Sequence, residues 1–201
     1  MKGLLYKDFL VLRKSLWSML LLVAIFCFIP SDSTFDLSLF FVVYTGLLPA
    51  SLLAYDERAR WDRLVPMLPV TRRDIVRSKY VLGFFLALGA GVLLVLGRVL
   101  TGRASLPEAA SAALGAVALG LVFQGVLYPF LFRLGVEKGR LAMGGLVAVL
   151  VFLLLQGKLL SGRAAGTDGL GDSAPVFFAG AVVVLLVSIR VSEVMYAKRA
   201  G

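Results

Sequence analysis

Six apolar segments, each close to the length that crosses a lipid bilayer, are the strongest constraint on this chain. A transmembrane helix needs about 20 predominantly apolar residues, with a range of about 17 to 25. Three of the segments have only 16 residues, so their ends are expected to extend into the interface or to meet a locally thinned bilayer. The segments are residues 15–30, 37–55, 80–97, 109–132, 141–156 and 174–189.

Composition supports the same class of protein. Hydrophobic residues make up 60% of the chain and charged residues 16%, whereas a soluble domain has about 45–50% apolar and about 25% charged residues. The excess apolar surface therefore has to face lipid. We predict an all-α, polytopic membrane protein with six transmembrane helices, in which residues 1–201 form a single transmembrane domain.

The N-terminal apolar segment is expected to be a retained first span. Fourteen residues precede it, and no Ala-x-Ala cleavage site directly follows Phe28. Both features disfavour a secretory signal peptide, which has a short basic region and a cleavage site with small residues.

Lysine and arginine are unevenly distributed among the segments that connect the predicted spans. Most of the 21 basic residues lie in the N-terminal segment, in 56–79, in 133–140 and in the C-terminal tail. Short basic loops stay in the cytoplasm, so both termini are predicted to be cytoplasmic. The net charge of +9 then reflects segments beside an anionic leaflet, and no nucleic-acid partner is expected. The exceptions are Arg98, Arg103, Lys158 and Arg163.

The predicted spans carry almost no reactive side chains. The chain has no histidine and a single cysteine, Cys27, and the main polar residues inside the spans are Gln124 and Gln156. An ion-coupled carrier is expected to place a carboxylate at mid-depth, although its insertion costs about 2.5–3.5 kcal/mol. The predicted spans contain no carboxylate, so an ion-coupled carrier is disfavoured. Because they also contain no histidine, an intramembrane enzyme is disfavoured as well.

Outside the spans, the acidic residues Asp56, Glu57 and Asp62 are candidate metal ligands. Arginines surround them in the sequence, so ion pairing is the favoured interpretation and no metal site is predicted. The sequence also has no Gly-x-x-x-x-Gly-Lys-Ser/Thr phosphate-binding loop. We therefore expect this chain to bind no cofactor and to hydrolyse no ATP by the usual route.

Small residues recur every four positions in the third and fourth predicted spans. Such stripes let helix backbones approach closely. Packing within one chain is the favoured interpretation, and a seam between two chains is the alternative. The residues are Gly83, Ala87 and Gly91 in the third span and Ala112, Ala116 and Gly120 in the fourth.

The 56–79 segment is the most structured polar feature. It is longer than a connector requires, and its first part, from Asp56 to Val65, has a helical pattern that ends before Pro66. A second helix is predicted to begin at Thr71, with Asp74 in the pattern of a capping box, and to run into the third span. Arg72 and Arg73 in its first turn oppose the helix dipole, so an acidic surface or anionic lipid is expected nearby.

Apolar residues on this basic segment favour a docking function over a solvated loop lying on the membrane. Trp61 and the turn that contains Leu68 and Pro69 form an apolar knuckle. Apolar side chains on an otherwise basic segment are typical of a contact with a protein pocket. We interpret the segment as a docking element.

At this segment the chain resembles the ABC-2-type permease family, and within it the small six-span permeases grouped with bacterial peptide-toxin and antimicrobial-peptide exporters. A second, weaker resemblance runs from Pro129 to Arg140, and the opening Met-Lys-Gly-Leu-Leu-x-Lys-Asp is shared with many such permeases. The matching residues are Asp56, Glu57 and Arg58; Trp61 and Asp62; Leu68, Pro69, Val70, Thr71 and Arg72; and Ser78, Lys79 and Tyr80.

The resemblance implies a cytoplasmic coupling helix, between the second and third spans, that inserts into a cleft on a separate ABC ATPase. ATP and Mg²⁺ would be bound by that ATPase. It also implies an interfacial helix at residues 1–14, with Leu5, Phe9 and Leu12 on one face. The implied docking residues are Asp56, Glu57, Arg58, Trp61, Asp62, Leu68, Pro69, Thr71, Arg72, Asp74, Ser78 and Lys79, and those of the other cytoplasmic loop are Arg133, Glu137, Lys138 and Arg140.

The implied assembly contains two permease chains, identical or different, and two ATPases in a bacterial plasma membrane, surrounded by lipid. The implied activity is export of an amphipathic substrate, for which a peptide is one candidate. The alternative from a different class is a channel or a membrane scaffold that transports nothing, which predicts that the 56–79 segment binds no ATPase.

Overall fold

A computed structural model describes residues 6–13, 17, 44, 48, 51–58, 71–102, 104–161 and 174–199. These residues are helical apart from the cap at Thr71 and the turn before α4, and none of them lies in a β-strand, which confirms the all-α class. The helices are α1 (6–13), α2 (51–58), α3 (Arg72–Leu100), α4 (Leu106–Ser161) and α5 (Ala174–Arg199).

Three stretches of these helices are long and apolar enough to cross a membrane: Arg73–Leu100, Leu106–Gly135 and Ala174–Tyr196. They contain the predicted spans 80–97, 109–132 and 174–189, so the chain is a multi-pass membrane protein. Most of the predicted spans 15–30 and 37–55 lies outside the described residues. A total of six spans stays a prediction.

The start of α3 is the predicted capping box. Thr71 is extended, with φ −81° and ψ 152°, and its hydroxyl accepts a hydrogen bond from the Asp74 amide at 3.2 Å. The Asp74 carboxylate accepts in return from the Thr71 amide at 3.2 Å. From this cap α3 runs unbroken to Leu100, which confirms that the second helix of the 56–79 segment continues into the third span.

A single residue redirects α4. Gly135 has φ 77° and ψ 172°, a backbone conformation that is essentially restricted to glycine. Residues 136–161 are helical beyond it. The sequence predicted an irregular loop at 133–140, and that prediction was wrong: these residues are helical except for Gly135, which turns the backbone on its own.

The helix α3 runs antiparallel to the first part of α4 and to α5. Near the start of α3, Tyr80 contacts Tyr128 of α4 and Ser192 of α5. Farther along α3, Gly91 lies against Val117, which comes earlier in α4. The first turn of α3, the break in α4 and the C-terminal part of α5 therefore share one end of these helices. The basic segments that border them were predicted to lie on one side of the membrane.

The small-residue stripe of α3 packs against α4 of the same chain. A side chain added at Gly83 would meet the Tyr128 hydroxyl and the Gln124 amide, and one added at Gly91 would lie 2.6 Å from Val117 Cγ2. Ala87 between them is buried. This confirms the prediction that the small residues of α3 allow close packing between helices of the same chain.

Two apolar clusters hold the described helices together. One surrounds Tyr80, Leu127 and Leu185, where α3, α4 and α5 meet. The other contains Leu12 and Leu52 and brings α1 and α2 onto the opposite side of α3. The first turns of α3 are therefore enclosed on two sides, and Arg77, Lys79 and Tyr80 contact neighbouring helices.

Candidate functional site: a charged junction at the base of α3

Four charged side chains meet at the base of α3, and we call Lys7, Asp8, Asp56 and Lys79 the charged junction. Lys79 Nζ lies 2.9 and 2.8 Å from the two carboxylate oxygens of Asp8 and 2.6 Å from Asp56 Oδ2. Lys7 Nζ lies 2.6 Å from Asp56 Oδ1 and 3.4 Å from Asp8 Oδ1. Two ammonium groups and two carboxylates therefore neutralise each other.

Burial makes this junction energetically important. The side chains of Asp8 and Lys79 are 0% and 2% exposed, so each has lost its hydration. A buried charge is tolerated when an opposite charge and hydrogen bonds replace water. Removing one partner leaves an uncompensated charge, which is strongly destabilising. The pair is therefore best understood as a fixed contact between α1 and α3.

The helix α1 turns its charged side toward the protein. Asp8 and Leu12, one helical turn apart, are both buried, whereas Tyr6 and Phe9 are more than half exposed. Of the predicted apolar face, Leu12 packs against the protein core and Phe9 is exposed; an interfacial position for α1 stays a prediction. Leu5 lies outside the described residues.

A second set of polar contacts joins α3 to α5 on the opposite side. Arg77 Nε donates to Glu193 Oε1 at 2.7 Å. One helical turn later, the Tyr80 hydroxyl lies 2.6 Å from Ser188 Oγ and 2.7 Å from Ser192 Oγ. The first turns of α3 are therefore held by ions on the α1 and α2 side, and by an ion pair and hydroxyl groups on the α5 side.

Ser188 extends these contacts to α4. Its hydroxyl donates to the backbone carbonyl of Gly125. We call the connected groups of Ser192, Tyr80, Ser188 and the Gly125 carbonyl the hydroxyl chain. All three side chains in it are buried, so three helices are joined by hydrogen bonds within the apolar core.

The rings and amides beside this chain are also buried. Tyr128 packs edge-on against Tyr80, with 4.7 Å between ring centroids, and its hydroxyl has no hydrogen-bond partner among the described residues. Gln124, predicted as an interior polar residue, is 0% exposed. Its Nε2 donates to the Gly83 carbonyl at 3.3 Å.

The structure brings together some of the predicted docking residues. Asp56 and Lys79 belong to the charged junction, and Thr71 and Asp74 form the cap of α3. Ser78 is buried, and its hydroxyl donates to the Ile75 carbonyl within the same helix at 2.8 Å. These residues anchor the base of the 56–79 segment.

Other predicted residues are exposed or fall outside the described part. Glu57 and Arg58 are exposed in α2, and Arg133 is exposed just before the break in α4. Trp61, Asp62, Leu68 and Pro69 lie outside the described residues, as do the side chains of Arg72, Glu137, Lys138 and Arg140. Their docking roles stay predictions.

Sequence reasoning missed several residues that shape the site. Lys7 and Asp8 belong to the opening Met-Lys-Gly-Leu-Leu-x-Lys-Asp that carries part of the resemblance, but no contact was predicted for them, and Glu193 was not singled out. Ser188 and Ser192 offered a signal, because two hydroxyls one turn apart in an apolar span mark a polar face. Within the described part of the chain, no group of three His, Cys, Asp or Glu side chains is placed to hold a metal ion.

Comparison with known proteins assigns almost the whole chain to one family description. A family model described as "ABC-2 family transporter protein" matches residues 3–197. The match includes the charged junction, the hydroxyl chain and the whole 56–79 segment. No curated protein and no solved structure shows significant similarity to the chain.

Proposed function

Because the chain belongs to the ABC-2 transporter family and is thus a membrane permease component of an ABC transporter, we propose that it is the permease of an exporter driven by a separate ATPase. The cargo we propose is an amphipathic molecule, with a peptide as the first candidate. ATP and Mg²⁺ belong to the partner ATPase, which docks on the 56–79 segment.

The observation that carries this proposal is the ion pair that closes the 56–79 segment at its base. Asp56 is the first residue of the segment and Lys79 the last, and their side chains lie 2.6 Å apart. The two ends of the segment therefore lie side by side at the base of α3. A segment anchored in this way moves with the base of α3, which is what a docking element needs in order to transmit a displacement.

The helix α3 can transmit a displacement of the 56–79 segment across the membrane because the helix is continuous. Its capped first turn lies within the 56–79 segment, and the same helix extends to Leu100 at the other end of the membrane-spanning stretch. When the ATPase closes on ATP, a displacement of the segment shifts α3 as a rigid element. Such rigid-body shifts switch many transporters between inward-open and outward-open states.

The polar contacts of α3 direct that displacement to other helices. The charged junction links it to α1 and α2, and Arg77 with Glu193 links it to α5. We propose that a second permease chain, identical or different, completes the pathway, with both termini in the cytoplasm of a bacterial cell and the exposed apolar faces in contact with membrane lipid. The excess of basic residues around the 56–79 segment supports that orientation.

The test is association with an ABC ATPase in a functional assay. The full chain is co-expressed with candidate ATPases from the same genome, purified in detergent, and assayed for bound ATPase and for ATP hydrolysis that responds to amphipathic peptides. Leu68→Glu places a charge on the apolar knuckle, and we expect it to abolish both association and stimulated hydrolysis while membrane insertion is retained.

Leu106→Glu is the matched control. Leu106 is exposed in the first turn of α4, at the opposite end of α3, and an acidic residue there suits the helix dipole. This variant is expected to bind the ATPase as the parent does. If Leu68→Glu also bound it normally, or if the parent bound none, the docking assignment would fail and a channel or scaffold would be favoured.

A further inference from the structure

Pro129 lies inside α4 and removes one hydrogen bond from it. In an α-helix the carbonyl of each residue accepts from the amide four residues later, so Gly125 is paired with position 129. Proline has no amide hydrogen, and the Gly125 carbonyl therefore has no donor at that position. In the apolar interior of a membrane, such a group requires a donor from elsewhere.

Ser188 of α5 supplies that donor. Its hydroxyl donates to the Gly125 carbonyl, which replaces the hydrogen bond that Pro129 cannot make. Gly125 eases the close approach, because a Cβ at position 125 would lie 3.3 Å from Val184 Cγ1, a tight contact that requires that side chain to shift by a few tenths of an ångström. Because Pro129 has no amide hydrogen, the Gly125 carbonyl is available to accept a hydrogen bond from α5. Because Gly125 has no side chain, α5 has room to approach it.

The remaining hydroxyl groups follow a single direction. A hydroxyl has one hydrogen to donate, and that of Ser188 is directed to Gly125. Ser188 must therefore accept from Tyr80, and Tyr80 in turn accepts from Ser192. The order of donation is Ser192 to Tyr80, Tyr80 to Ser188, and Ser188 to the Gly125 carbonyl, and each step depends on the one before it.

We infer that Tyr80 and Ser188 are positioning residues that set the backbone of α4 at its proline according to the position of α3. Tyr80 directly follows Lys79 of the charged junction, so a displacement of the base of α3 moves the Tyr80 hydroxyl. Hydrogen bonds between hydroxyls have O···O distances of about 2.5–3.0 Å, so a shift of about 1 Å is enough to break the chain. The proline of α4 is then free to bend.

This inference rests on the proposed function, since it describes how movement of the 56–79 segment reaches α4. It assigns the response to three side-chain hydroxyls and one carbonyl. The hinge would lie between Gly125 and Pro129, about two to three helical turns before the break at Gly135. Breaking the hydroxyl chain uncouples ATP hydrolysis from transport without detaching the ATPase.

The test uses the fact that Pro129→Ala restores an amide hydrogen for Gly125. Ser188→Ala alone is expected to lower the midpoint of thermal unfolding and the amount of substrate moved per ATP. The loss of one net hydrogen bond corresponds to about a fivefold change in an equilibrium constant. In the double variant Pro129→Ala/Ser188→Ala, the thermal midpoint is expected to recover because the helix repairs its own bond.

Transport per ATP distinguishes positioning from mere support. If Ser188 only supported the helix, the double variant would recover coupling together with stability. A positioning function predicts that coupling stays low, because the repaired helix no longer responds to Tyr80. Recovery of both quantities, or a thermal midpoint of Ser188→Ala equal to that of the parent, would overturn the inference.

Tyr80→Phe has a matched control in Tyr128→Phe. Both rings are buried and contact each other, but only the Tyr80 hydroxyl is hydrogen-bonded among the described residues. Tyr80→Phe is expected to reduce coupling, and Tyr128→Phe is not. ATPase association is measured on the same samples. Its absence in the parent would reject the proposed function, whereas intact association with equal coupling in the two variants would reject this inference alone.

Discussion

Lys79 Nζ lies 2.8 Å from Asp8 Oδ2 in a buried contact between residues 71 positions apart. The same ammonium lies 2.6 Å from Asp56, so one side chain on α3 holds both α1 and α2. The polar groups at the start of α3 are therefore part of the packing of the molecule. Their removal should affect stability as well as transport.

Asp8→Asn tests the buried ion pair. Among the described residues, the substitution leaves Lys79 with Asp56 as its one anionic partner, and breaking a buried pair costs about 3–5 kcal/mol. We expect a cost near the lower end of that range, because Asp56 remains, measured as a lower midpoint of thermal unfolding in detergent. Glu57→Gln, at an exposed carboxylate of α2, is the control and should change stability by at most about 1 kcal/mol, because water screens the interactions of an exposed charge. Equal effects of the two would contradict the buried pair.

Combining Asp8→Asn with Lys79→Met should be less harmful than the two single changes added together. Lys79→Met leaves the carboxylates of Asp8 and Asp56 with Lys7 as their remaining described cation, and Asp8→Asn then removes the excess negative charge. Residues in direct contact show interaction energies of about 0.5–3 kcal/mol in such cycles. Unfolding midpoints of the four proteins supply the cycle, and strict additivity would argue against direct interaction.

Thr71→Ala should destabilise the start of α3. The hydroxyl accepts from the Asp74 amide, and loss of such a cap costs about 0.5–2 kcal/mol. Thr71→Ser keeps the hydroxyl and is expected to behave as the parent. Amide hydrogen exchange of residues 72–75 reports the effect locally, and faster exchange in both variants would show that the methyl group of threonine, and not the cap, is responsible.

Gly83→Ala and Gly89→Ala should have opposite effects on stability. A Cβ at Gly83 would collide with the Tyr128 hydroxyl and Gln124 Oε1, whereas one at Gly89 would meet nothing within 4 Å. Overpacking costs about 1–3 kcal/mol, and replacing glycine by alanine in an open helix position is favourable by up to about 1 kcal/mol. Tyr128→Phe should relieve part of the Gly83→Ala cost. Thermal midpoints that fall equally for both alanine variants would refute this close approach.

Exchanging the charges of Arg77 and Glu193 should preserve most of their interaction. Glu193→Arg alone places two cations together at the end of α5, and the addition of Arg77→Glu restores opposite charges. The side chain of Arg77 is 41% exposed, so water screens the pair and the expected recovery is at most about 1 kcal/mol. Thermal unfolding at low salt measures it, and a doubly exchanged protein no more stable than Glu193→Arg would mean that the pair contributes nothing.

Much of the secondary structure followed from local signals. The lengths of the apolar segments predicted the helices that contain 80–97, 109–132 and 174–189, and Thr71 with Asp74 predicted where α3 begins. The form of the connection at Gly135 was missed, since a glycine next to charged residues is equally compatible with a loop. The burial of Asp8 was also missed, because its partner Lys79 lies 71 positions away in the chain.

By itself, the sequence determined that this chain is a helical membrane protein, where α3 is capped, and which residues mark the 56–79 segment, because segment length, apolar content and capping act within a few helical turns. Only the tertiary structure decided that Asp8 is buried against Lys79, that Asp56 closes the segment with Lys79, and that Ser188 replaces the hydrogen bond lost at Pro129. A proline reveals that a carbonyl needs a donor, but the donor comes from whichever helix packs closely enough. That packing depends on contacts between residues far apart in the chain.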